Sequence, residues 1–320
     1  MAAFLYILSN NIIPIFTIIA LGFILNKKFN LNIHTLSKLS LYLFAPSFIF
    51  VNLYTTDLKL DMLKILFFCI IYLAANDLLA KAISVFRKYD IGKANAFKNS
   101  IMFNNSGNIG VSLITLVFSS APFIVDGKTP YLEEALAAQI IILMFQNIAS
   151  NTLGFYYAGR AKMNLKDSLR QIFTMPAIYV VPLAFLLNYQ HFDITMSPVW
   201  NALVYIKGGL VPMALITLGV QLSKTKFNFG SVDVYISAFA RLIFGPALAL
   251  ILIIFFGFTG VVAQTVLIAS SVPTAVNTVL IAVECDNNQD FAAQVVMVST
   301  IFSAVTLTLA IYAARIIYPV

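Results

Sequence analysis

Charge is scarce in this sequence. Asp, Glu, Lys and Arg make up 10% of its 320 residues and hydrophobic residues 60%, whereas soluble domains are about 25% charged. With a mean hydropathy of +0.91, a water-soluble globular domain is excluded and lipid is the expected solvent. Cysteine is nearly absent: Cys69 lies in an apolar run and Cys285 beside an acidic loop, which rules out a disulfide framework or a metal-ligand spacing. Histidine is equally rare. His34 and His191 fall near span ends in opposite-facing loops, and no HExxH or G-x-S-x-G pattern occurs, so an intramembrane enzyme has little support and no cofactor is expected. The apolar stretch from Ala3 to Leu25 lacks a basic leader and a small-residue cleavage pattern, and it reads as a retained first helix.

Long apolar runs are what the sequence does have. A bilayer core about 30 Å thick needs roughly 20 apolar residues per helix. Ten segments meet that need or approach it: Ala3 to Leu25, Thr35 to Leu53, Met62 to Phe86, Ala94 to Phe118, Tyr131 to Tyr157, Ile172 to Leu187, Val199 to Leu222, Val232 to Phe256, Val261 to Val283 and Phe291 to Tyr312. The fold class is therefore an all-α polytopic membrane protein of ten transmembrane helices. The net charge of +7 reports topology instead of a nucleic-acid partner, because the basic residues sit in loops. Lys27, Lys28, Lys38, Lys81, Arg87, Lys88, Lys93, Lys98, Arg160, Lys162, Lys166, Arg170, Lys224 and Lys226 fall in one set of alternate loops. Only Lys59, Lys64, Lys128 and Arg315 fall in the other. Cytoplasmic loops carry the Lys/Arg excess, which orients both termini outside the cell in a plasma-membrane protein.

The loop at 158–171 then joins two five-helix halves, 1–157 and 172–320. An odd number of spans per half requires that any internal duplication be inverted across the membrane. The fifth and tenth spans share a pattern, Ala137-Ala138-Gln139-Ile140-Ile141 against Ala292-Ala293-Gln294-Val295-Val296. The fourth and ninth are interrupted at the same depth, by Asn104-Asn105-Ser106-Gly107-Asn108 and by Ser270-Ser271-Val272-Pro273-Thr274-Ala275-Val276-Asn277.

Polar groups in mid-span cost several kcal/mol each if they face hydrocarbon, so they must face protein or a water-filled cavity. Pro273 removes a backbone donor and frees carbonyls around Ala269, while Asn and Thr can cap the helix that restarts. The result is two half-helix N-termini, each with unpaired N–H groups and about half a positive charge. One such interruption is explained by a kink or by polar glue between helices. A pair in corresponding spans is the sequence pointer to a carrier's binding site, with carboxylate as the expected ligand class.

These residues resemble the auxin efflux carrier family, which includes plant auxin carriers and bacterial malate and malonate permeases. The likeness rests on Tyr42-Leu43-Phe44-Ala45-Pro46, Asn105 with Gly110-Val111, Gln139-Ile140-Ile141-Ile142-Leu143, Gly159-Arg160-Ala161-Lys162, Pro212-Met213-Ala214-Leu215 with Leu218-Gly219, Arg241-Leu242 with Pro246, and Val272 to Asn277. It implies scaffold spans 1, 2, 6 and 7 and a moving transport part of spans 3 to 5 and 8 to 10. It also implies that Asn105 contacts substrate and that Pro273 is the crossover proline. The plant proline before that asparagine is Asn104 here, and an acidic residue of the plant third span falls near Cys69. Elevator-type transport of a small organic anion is the function implied, against the alternatives of an intramembrane enzyme or an anion channel.

The expected substrate-binding set is Asn105, Ser106, Gly107, Asn108, Gln139, Pro273, Thr274 and Asn277. Gln139, like Gln146 and Asn147, also fits a role as interhelical glue. Ionisable residues inside spans are functional hypotheses by default. Arg241 is suited to a substrate carboxylate, to freed carbonyls or to a structural pair. Lys207 precedes Gly208-Gly209 and either meets a neighbour or snorkels to the surface. Asp77 stands four residues before Lys81, where a local ion pair is expected, or proton binding if it is desolvated. Expected partners are the organic anion and the lipid bilayer, with proton coupling and a homodimer left open and no nucleic acid.

Overall fold

The computed structural model describes residues 2–56, 62–159, 176–190, 192–225 and 230–320. Among them every regular element is a helix, and the only β-type pairings are isolated bridges. Seven helices are long and apolar enough to cross a bilayer: α1 Ala3–Phe29, α2 Ile33–Thr55, α3 Leu63–Phe86, α6 Leu132–Ala158, α8 Pro198–Lys224, α9 Val232–Phe256 and α12 Gln289–Ile317. The remaining helices are shorter. They are α4 Ile91–Met102, α5 Ser106–Phe118, α7 Ala177–Tyr189, α10 Gly260–Ser271 and α11 Asn277–Glu284.

The expected fourth and ninth spans are thus each two half-helices, α4 with α5 and α10 with α11. The first halves, α4 and α10, are both 12 residues long. The expected start of the sixth span at Ile172, the linker from residue 160 onward with its Arg160, Lys162, Lys166 and Arg170, and also Lys59, His191 and Lys226 lie outside the described residues. Ala158, assigned to the linker by sequence, still belongs to α6.

Two packing patterns position the site. Helices α1 and α8 touch backbone to backbone: a Cβ on Gly22 would run into the carbonyl of Ile216, and one on Gly219 into the carbonyl of Ile19. Asn26 adds a buried side-chain bond to Ser223. Small residues allow this close approach, which is how helices associate in lipid without a hydrophobic driving force between them. Helix α2 packs on α7 and on the first half of α8. Separately, α3, α4, α6, α9, α10 and α12 pack on one another, and the polar breaks lie inside that group.

At the loop face of this second group Asp233 accepts bonds from Arg87 at 2.8 Å and Tyr89 at 2.7 Å and pairs with Lys93. Burial, then the bond to Asp233, pushes the Tyr89 hydroxyl up to about 12. The large apolar side chains that remain exposed on the helices, such as Phe67, Leu78, Ile254 and Phe255, form the surface that a bilayer would cover.

Candidate functional site

The two broken helices meet at their breaks. Asn104 and Thr274 form an antiparallel bridge, with the Asn105 amide donating to the Pro273 carbonyl at 2.8 Å and the Ala275 amide donating to the Phe103 carbonyl at 2.9 Å. Residues 103–105 and 273–275 thereby exchange two backbone bonds where no helical partner exists. Such pairing is required, because an unpaired backbone group at this depth costs several kcal/mol.

Each half-helix end has a specific partner. Pro273 has no N–H to offer the carbonyl of Ala269, four residues back, and Asn104 donates its side-chain amide there instead, at 3.1 Å. Thr274 donates its hydroxyl to the Ser100 carbonyl at 2.8 Å and its amide to the Ser299 hydroxyl at 3.3 Å. The guanidinium of Arg241 joins the two C-terminal ends, donating to Ile101 at 2.9 Å and also to Ser270. Tyr72 accepts from Arg241 at 2.9 Å and donates to the Ser270 carbonyl at 3.1 Å. Arg241 is fully buried, the largest such side chain among the described residues, and it leaves α9 from a π-helical turn at Ala240–Phe244. A cation at a helix C-terminus is favoured by the dipole, and here one cation serves two helices.

The opposite ends offer donors. Asn105 is the N-cap of α5, accepting from the Asn108 amide at 3.2 Å through its side-chain oxygen. Its side-chain NH2 is buried and has no partner among the described residues. Gln139 donates to the Ser106 carbonyl at 2.8 Å, and its own oxygen is likewise buried without a partner. A Cβ on Gly110 would stand 2.7 Å from that Gln139 nitrogen, so the glycine makes room for the bond. Ser106–Gly110 is itself a π-helical turn, a feature that often marks functional sites.

The structure therefore brings together Asn105, Ser106, Gln139, Pro273, Thr274 and Arg241, with Gly107 and Asn108 half-buried in the first turn of α5. It leaves three expected residues elsewhere. Asn277 is exposed, and α11 begins after Val276, whose apolar side chain offers no cap. Lys207 is half-buried on α8, close to the turn at Gly209. Asp77 pairs with Lys98 of α4 at 2.8 Å and not with Lys81. Lys98 also lies 4.7 Å from the centre of the Tyr157 ring, and this tertiary pocket outcompetes the exposed i,i+4 partner.

A cavity of about 720 Å³ opens beside the crossover, between the end of α8, α11 and the start of α12. Gln221, Lys224, Asp290 and Gln294 give its polar wall, and Val276, three residues beyond Pro273, lies on its apolar wall. Sequence reasoning missed this role. The repeated Ala-Ala-Gln pattern was the available signal, since Gln294 occupies in α12 the place of Gln139 in α6.

The membrane transport protein family matches residues 160–311 of the chain. An uncharacterized transporter of Methanothermobacter thermautotrophicus is 24% identical over 309 residues, covering 94% of this chain and 96% of its own. An uncharacterized transporter of Methanocaldococcus jannaschii is 24% identical over 288 residues, covering 86% of this chain and 87% of its own. Together with apolar helices that suit a multi-pass membrane protein and the crossover just described, these matches support a membrane transporter, and the family match over residues 160–311 lies in line with the auxin efflux carrier resemblance.

Proposed function

We propose that the chain is a secondary carrier of a small organic anion, a carboxylate such as malate, malonate or an auxin-like acid, that binds at the crossover of α4/α5 with α10/α11. One observation carries this reading: the two breaks exchange backbone bonds through Asn105 and Pro273, beside a buried Asn105 amide that still has donors to give. Half-helix N-termini with free donors suit a carboxylate near mid-membrane. In this reading ten spans form two inverted five-helix repeats, 1–157 and 172–320, in the plasma membrane with both termini outside. Helices α1, α2, α7 and α8 are the scaffold and the others move against it as an elevator.

The cavity lined by Lys224 and Asp290 is then the cytoplasmic vestibule, with Lys224 drawing anions toward the crossover. Its volume falls in the usual range for small-molecule sites, about 300 to 1,000 Å³. The test is counterflow in proteoliposomes holding the purified protein and preloaded with unlabelled malate, malonate or indole acetate. Labelled anion accumulates against the unlabelled pool if the protein is a carrier. Anion flux without counterflow means a channel, and no flux with any carboxylate refutes the anion reading.

A further inference from the structure

The most deeply buried charge among the described residues, Arg241, lies where half-helix ends meet. In transporters with broken helices, the C-terminal ends of half-helices and the unwound carbonyls coordinate the coupling Na+ or H+. Here the C-terminal ends of α4 and α10 converge on the same group, the guanidinium of Arg241, through the carbonyls of Ile101 and Ser270. The surroundings complete a built site. The Tyr72 hydroxyl bridges Arg241 and Ser270, the guanidinium carbon lies 5.8 Å from the Tyr72 ring centre, and Gly245 leaves the space, since a Cβ there would stand 3.3 Å from that carbon.

An alkali cation needs several oxygen ligands in this gap, and the oxygens are already engaged. An arginine also keeps its proton in proteins, so its charge stays on both sides of a transport cycle. No acidic side chain among the described residues makes a bond or ion pair with it.

We propose that Arg241 is a tethered cation that replaces a mobile coupling ion at the crossover, so that the carrier neither binds sodium there nor draws on a sodium gradient. This inference rests on the carrier reading above, but its main test needs no substrate. Thermal unfolding of the full-length protein in detergent is followed in equal concentrations of sodium, potassium and choline chloride, for wild type and for Arg241→Ala.

The wild-type midpoint is expected to be the same in the three salts. The Arg241→Ala midpoint is expected to fall in choline and to recover by several degrees in sodium or potassium, because the freed carbonyls then take the ion and binding to the native state stabilises it. A saturable sodium-specific rise of the wild-type midpoint overturns the proposal, as does an Arg241→Ala midpoint equally low in all three salts. If Arg241→Ala cannot be purified, the wild-type series decides alone. In proteoliposomes the expected counterflow of wild type is equal with and without sodium; sodium dependence overturns the tethered-cation proposal, whereas absent counterflow in every salt tells against the carrier reading instead.

Discussion

The side chain of Asn104 donates to the carbonyl of Ala269 at 3.1 Å, the group that Pro273, four residues on, is chemically unable to reach. Asparagine in one broken helix thus answers for proline in the other, and the two breaks are parts of a single structure.

Asn104→Ala is expected to lower stability by about 1 to 3 kcal/mol, the usual consequence of a buried carbonyl left unpaired. Thermal unfolding in detergent reads this as a lowered midpoint. An unchanged midpoint would mean that Ala269 finds another donor.

Asn105→Ala removes the N-cap of α5, for which about 1 kcal/mol is typical, and with it the free amide. Asn105→Ala and Pro273→Ala are each expected to reduce carboxylate uptake far more than the yield of folded protein. Uptake normalised to protein recovered by size-exclusion chromatography checks it, and parallel losses of both would assign these residues to folding alone.

Gly110→Ala places a methyl group 2.7 Å from the Gln139 nitrogen, so Gln139 must leave the Ser106 carbonyl. Transport is expected to fall with a modest loss of stability. Because the obstacle is the end of a side chain, the second change Gln139→Ala should restore room for the methyl group, and the Gly110→Ala penalty on stability should shrink in that background. Equal penalties in both backgrounds would show that the two residues act separately.

Asp77 and Lys98 form a half-buried ion pair, and removing one partner leaves the other charge unmatched among apolar neighbours. Asp77→Asn and Lys98→Gln are each expected to lower the unfolding midpoint, whereas the double change should cost less than the sum of the two. Additive losses would show no coupling. An Asp77→Asn variant as stable as wild type but with altered pH dependence of uptake would instead point to a proton role.

The sequence makes the broken helices legible because composition alone reports polarity out of place: three asparagines, a serine and a glycine interrupt one apolar run, and Pro273, followed by Thr274 and preceded by Ser270-Ser271-Val272, interrupts another. The carbonyl freed at Ala269 follows from the geometry of proline. The donor that satisfies it does not, since Asn104 is distant in sequence and nothing in its spacing names Ala269. Asp77 shows the same limit. Its local partner Lys81 is visible at i+4, but Lys98 is nearer in the folded protein, where the Tyr157 ring also holds the ammonium group. Arg241 was open to three readings, and three-dimensional convergence of Ile101, Ser270 and Tyr72 selects the carbonyl-binding one. The cavity near Val276 belongs to helices far apart in the chain, so only the repeated Ala-Ala-Gln pattern hinted at Gln294.

The contact of Gly22 and Gly219 with the opposing backbones sets a mechanical condition on everything else. Where the main chains touch, at Gly22 and Gly219, no side chain lies between the two helices to re-pack, so sliding one past the other would drive backbone into backbone there. α1 and α8 must therefore behave as a single beam. A shape change in this part of the molecule would then be taken up at other contacts of the pair, among them the face that α8 presents to the π-helical turn at Ser106–Gly110.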